Sequence, residues 1–141
     1  MEIVDIKQKV NKVFSPVMQK LGLHNFCESD RTTTLFSLAY FSEEVGLELS
    51  VDLSDFYIYV LLFKPDGKNI PIGYTDSAGH RQKIYLQEAL KILSIDIESI
   101  NKKLQKLGGN YQNCSEMLAI LKVVVEENWE LLVSERNRWF C

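Results

Sequence analysis

Val45-Gly46-Leu47-Glu48-Leu49-Ser50-Val51-Asp52-Leu53 decides the fold. Nine residues alternate apolar and small or polar side chains without a break, which is the period of a β-strand with one dry and one wetter face. Ser42-Glu43-Glu44 precedes it as a turn, and Thr33–Phe41, rich in Thr and aromatic residues, reads as the strand before that. Ser54-Asp55 follows as a tight connection to Phe56–Phe63, a continuous apolar run of the kind found in strands covered on both sides. Lys64-Pro65-Asp66-Gly67-Lys68 carries a hairpin signal, and Ile70-Pro71-Ile72-Gly73-Tyr74 reads as a returning strand. Pro71 cannot donate a ladder hydrogen bond, so this strand belongs at an edge. Residues 24–29 read either as loop or as a short edge strand.

Both flanks are helical. Ile3, Ile6, Val10, Val13/Phe14, Val17/Met18 and Leu21 recur at helical spacing. Pro16 predicts a kink near Ser15-Pro16, or a restart capped by Ser15, and Gly22 the end of the helix. Beyond the sheet, Gln82–Leu93 has an apolar face through Tyr85/Leu86, Ala89/Leu90 and Leu93. A second helix starts at Ser94 as N-cap with Asp96 in its first turn, and stops at Gly108-Gly109. Asn113-Cys114-Ser115-Glu116 has the form of a capping box ahead of a long third helix bearing Trp129. The expected architecture is α+β: an N-terminal helix, a four- to five-stranded antiparallel meander and three C-terminal helices. With 141 residues and no linker or repeat, residues 1–141 read as one domain.

Charge and composition narrow the function. Net charge is −3, a poor match to a phosphate backbone, so no nucleic-acid partner is expected. No apolar run approaches the roughly 18 residues that span a bilayer. Three cysteines, Cys27, Cys114 and Cys141, stand far apart with no CxxC, which fits reduced thiols in a cytoplasm. The N-terminus lacks the basic and apolar regions of a signal peptide.

Motifs for chemistry are absent or have simpler readings. His24 and Cys27 have a metal-compatible spacing but lack the two further ligands zinc needs. Asp76, Ser77 and His80 crowd one loop, whereas a catalytic triad assembles from separate parts of a fold. Glu126, Glu127, Glu130 and Glu135 read as a solvated helix face, as do Lys102, Lys103 and Lys106. No catalytic residue, metal or cofactor is expected, and the chain reads as non-enzymatic.

One constellation points to a partner. The wetter side of Val45–Leu53 carries Glu48 and Asp52, with Glu43, Glu44 and Asp55 at its ends. Tyr57 and Tyr59 alternate in the next strand. If they share a face with Glu48 and Asp52, an acidic patch with aromatic anchors results, suited to a basic protein. The alternative is that helices cover both faces and the tyrosines are core.

The order of elements resembles small bacterial immunity proteins, which pair with a toxin and block it. The resemblance rests on the first helix ending at Leu21-Gly22-Leu23, the meander through Val45–Leu53 and Phe56–Phe63, and the later helices with Trp129. It implies a cytosolic, non-enzymatic inhibitor with an acidic binding surface. The rival reading is a small acidic chaperone or adaptor for a secreted or regulatory protein. Such chaperones place a helix between their strands, and Thr33–Tyr74 leaves no room for one.

Overall fold

The computed structural model describes residues 3–67, 69–71 and 73–140. Helix α1 (Ile3–Lys20) precedes strands β1 (Asn25–Asp30), β2 (Leu35–Phe41), β3 (Gly46–Asp52), β4 (Tyr57–Phe63) and β5 (Lys83–Tyr85). Helices α2 (Leu86–Ile92), α3 (Glu98–Leu107), α4 (Cys114–Ser134) and α5 (Arg136–Phe140) follow, with a single 3-10 turn at Tyr111–Asn113. The strands form one antiparallel sheet in the order β1-β2-β3-β4-β5. The α+β class and the order helix, meander, helices are those expected. The third expected helix is α4, and α5 is a short addition that seats Trp139 in the core, where its indole donates to the Leu132 carbonyl at 2.9 Å.

The helices lie on one face of the sheet. Phe36, Leu38 and Tyr40 of β2, Leu47, Leu49 and Val51 of β3, and Ile58, Val60 and Leu62 of β4 point into a shared core. Ile6, Val10 and Phe14 of α1 and Met117, Leu121 and Val125 of α4 fill it from the other side. The alternation in β3 is therefore the interdigitating half of this core, and a one-residue slip would drive Glu48 into it.

Four local expectations are corrected. First, α1 does not restart at Pro16. Lys12 and Pro16 face solvent, so the Lys12 carbonyl that loses its helical partner is open to water, while Phe14, Val17 and Met18 hold the helix down. It ends at Gly22 (φ 84), with Gly22 donating to Gln19 and Leu23 to Met18, the bond pair of a Schellman stop. Second, Ser94 closes α2 rather than opening α3. It sits at φ 63 and donates to Lys91 while Ile95 donates to Leu90. The start of α3 falls to Asp96, whose carboxylate accepts from the Glu98 amide at 3.0 Å. Third, Asn113 does not cap α4. Its amide donates back to the Leu107 carbonyl at 3.0 Å, tying down the end of α3.

Fourth, the edge strand after β4 is Lys83–Tyr85, at the start of the segment read as helical, and residues 70–74 contain no described strand. The unpaired edge of Leu61–Phe63 outweighs the helical spacing of three residues, because each edge group left bare in a semi-covered sheet loses a ladder bond. The turn at Gly67 does form, with Asp66 and Asn69 exchanging two backbone hydrogen bonds. Beyond it, Ile70 packs on the second face of the sheet against Ala39, Phe41 and Phe63, and the Tyr74 carbonyl accepts from the Gln82 and Lys83 amides beside β5. Lys68, Ile72 and Cys141, included in the sequence readings, lie outside the described residues.

Burial of Tyr40 yields a pH test of the α1–sheet contact. Its hydroxyl donates to Asn11 of α1, and burial pushes its pKa up to about 12. A raised phenol pKa means that folding favours the protonated form. The contribution is complete below the unfolded value near pH 10 and is lost as pH climbs to about 12. The urea midpoint of wild type should therefore fall more steeply from pH 10 to 12 than that of Tyr40→Phe. Parallel curves would reject the coupling.

Candidate protein-binding face

Among the described residues, no helix packs over the second face of the sheet. Its register aligns the sequence candidates: Asp52 pairs with Tyr57, Ser50 with Tyr59 and Glu48 with Leu61. Glu48, Asp52, Tyr57 and Tyr59 thus project from one face. Segment 64–82 covers the end near Gly46 and Phe63, leaving the end at Ser50, Asp52 and Tyr59 open.

The four residues meet different surroundings. Glu48 is 4% exposed and is not presented to a partner. Its Oε1 accepts from the Lys83 ammonium at 3.0 Å and lies 3.3 Å from the Arg31 guanidinium. Lys83 is as buried as Glu48, whereas the Arg31 side chain is 31% exposed. Three strands or their ends thus meet through one carboxylate. Asp52 is half-buried. Hydrogen bonding from the Ser54 hydroxyl and from the Ser54 and Asp55 amides holds its carboxyl below the usual aspartate value, so it is an anion at neutral pH.

Tyr57 is half-buried, partly against Gly108 after α3, where an added Cβ would lie 2.8 Å from its ring. Tyr59 is 37% exposed. Burial raises both phenols, joined at Tyr59 by the negative field of Asp52. The two rings are 4.8 Å apart, and the row continues from Tyr59 to Tyr85 and from Tyr85 to Tyr74 at 6.0 Å each. The Tyr74 and Tyr85 hydroxyls share a 3.1 Å hydrogen bond, which with burial pushes Tyr74 up to about 12. Three of these four tyrosines, Tyr59, Tyr74 and Tyr85, therefore line an open cleft of about 350 Å³ together with Arg31, Glu48 and Asp52, and Tyr57 extends the row beyond it.

Of the residues gathered on this face, Glu48, Asp52, Tyr57 and Tyr59 are the candidates the sequence singles out, and Arg31, Lys83, Tyr74 and Tyr85 join them only in the fold. Lys83 and Tyr85 fall in the segment read as helical, and Tyr74 in the one read as an edge strand. The available signal was Glu48 itself: a carboxylate in the middle of a central strand calls for a cation.

The loop that crowds Asp76, Ser77 and His80 is a turn. The Asp76 carboxylate accepts from the Ala78 and His80 amides and lies 3.3 Å from the His80 ring. Among the described residues, no group of three His, Cys, Asp or Glu side chains is placed to hold a metal ion. No helix among them is long and apolar enough to cross a membrane.

Fold and face define an α+β chain with one helix-covered and one partly open sheet face. No protein-family model, curated protein or solved structure matches it.

Proposed function

We propose that this chain is a non-enzymatic protein-binding domain whose partner docks on the open end of the second sheet face. The observation that supports it is the four-tyrosine row bordered by the anionic Asp52. Tyrosines give contact area at low entropic cost, and an adjoining anion selects a basic partner and rejects an acidic one. An immunity-type inhibitor fits this best: it would act in a bacterial cytoplasm by covering a basic site on a toxin. Within this reading, Tyr59 and Asp52 make the contact, Tyr57 supports Tyr59, and Glu48 holds the sheet together beneath them.

A second reading, as a chaperone or adaptor, is favoured by β1. It is an edge strand with all six residues exposed, able to accept an extended peptide as a further strand.

The experiment is affinity capture from the native host with intact protein, alongside Tyr59→Ala and Asp52→Asn. The expected result is one stoichiometric basic protein, bound at least tenfold more weakly by each variant at a temperature where both variants remain folded. Retention of the partner by both variants would overturn the assignment of this face. Capture of a secreted protein's segment, blocked by a proline in β1, would select the adaptor.

A further inference from the structure

Beside the tyrosine-lined cleft, toward β1, lies a second one of about 370 Å³ whose walls include Ser29, Arg31, Ser37, Ala39, Glu48 and Ile70. Ser37 stands in the middle of β2, opposite Ser29 on one side and Ser50 on the other. It is 3% exposed, and its hydroxyl has no hydrogen-bond partner among the described residues. A buried hydroxyl left unpaired is destabilising, so one retained at a cleft wall calls for a ligand or ordered water to satisfy it.

The charges around it specify the ligand. Lys83 and Arg31 face a single carboxylate, Glu48, leaving one net positive charge. Glu48 Oε1 engages one Arg31 nitrogen, and the rest of that partly exposed fork is available to the cleft. A guanidinium beside a hydroxyl donor matches the two coplanar oxygens of a carboxylate. One surplus charge suits a monoanion, and Asp52 in the adjoining cleft disfavours a second negative charge. Ala39 and Ile70 offer an apolar surface for a ligand body, and the volume is at the small end for ligand pockets.

We propose that this cleft binds the carboxylate of a small, singly charged molecule, with Arg31 and Ser37 as its donors. This site does not depend on the protein-binding reading of the tyrosine row. The carboxylate could belong to a free small molecule or to the C-terminus of a peptide, and the test separates them.

The test is an amide NMR titration of the full chain with benzoate, its neutral isostere benzamide, inorganic phosphate, and a short peptide as free acid and as amide. Benzoate should shift the amides around Ser29, Arg31, Ser37 and Ala39, with benzamide and phosphate at least tenfold weaker. A free-acid peptide binding more tightly than benzoate identifies a chain terminus as the source, and the reverse order a small molecule. Ser37→Ala should weaken benzoate about tenfold while leaving the melting temperature unchanged or raised, because no internal hydrogen bond is lost. Arg31→Gln, checked for an intact spectrum, should abolish carboxylate preference. No shift at millimolar benzoate, equal binding of benzamide, or a Ser37→Ala variant that is destabilised yet binds normally would each overturn the proposal.

Discussion

Glu48→Leu is expected to lower the free energy of unfolding by about 3–5 kcal/mol, the cost of leaving a buried charge without its counter-ion. The charge stranded is Lys83, whose side chain is 3% exposed and whose described ion pair is with Glu48 at 3.0 Å. The reciprocal change, Lys83→Met, should cost less. Glu48 would keep Arg31 at 3.3 Å, and Arg31, one-third exposed, reaches both the carboxylate and water. Glu48→Leu with Lys83→Met removes both dry charges and leaves only Arg31, which can turn to solvent. Buried pairs replaced by apolar residues are commonly neutral or more stable, so the double variant should lie within about 1 kcal/mol of wild type or above it. Urea unfolding at constant slope measures all three. Equal costs for the two single changes, or a double variant as unstable as Glu48→Leu, would show that the triad is not a closed electrostatic unit.

The same triad shows where sequence reading stops. Alternation in Val45–Leu53 reveals which residues share a face, since side-chain direction in a strand follows from parity. It groups Glu48 with Asp52, and Tyr57 with Tyr59 in the next strand, while the register of β3 against β4 is what brings the two pairs to one face. Parity does not reveal what covers a face. That depends on the residues after β4, where Ile70 to Tyr74 read as an edge strand and Ile70 instead packs on the sheet's second face. Lys83 was hidden by the same error: Ile84 and Leu86 suit a strand entering a helix as well as they suit a helix. The three-residue ladder to Leu61–Phe63 that decides between them is a contact across twenty residues, with no local signature. The helix ends were legible where glycine fixed them, as at Gly22, and misread where Ser94 adopted the left-handed conformation that favours glycine.

Gly46→Ala should be the costliest conservative change on the second face. Gly46 pairs with Phe63 across β3 and β4, and the Phe63 ring lies over the space a side chain would take. An added Cβ would sit 2.1 Å from Phe63 Cζ and 2.5 Å from both Cε atoms, far inside van der Waals contact. The ring has no simple retreat. It is fully buried among Ala39, Phe41 and Ile70, with the Phe41 ring centroid 6.0 Å away. Overpacking at such a site costs about 3 kcal/mol, the upper end of the usual range. The glycine in the alternating stretch is thus a site of close approach, not merely a small residue on the wetter face. Phe63→Leu shortens the opposing side chain, so the double variant Gly46→Ala with Phe63→Leu should be more stable than the sum of the two single costs by more than about 1 kcal/mol. Additivity would show that the ring has another place to go. Because Phe63 also anchors Ile70, displacing it should loosen segment 64–82 over Glu48. Gly46→Ala should therefore be cleaved faster within 64–82 under limited proteolysis, even where the helices remain protected, because the helical core lies on the opposite face and shares none of the displaced contacts.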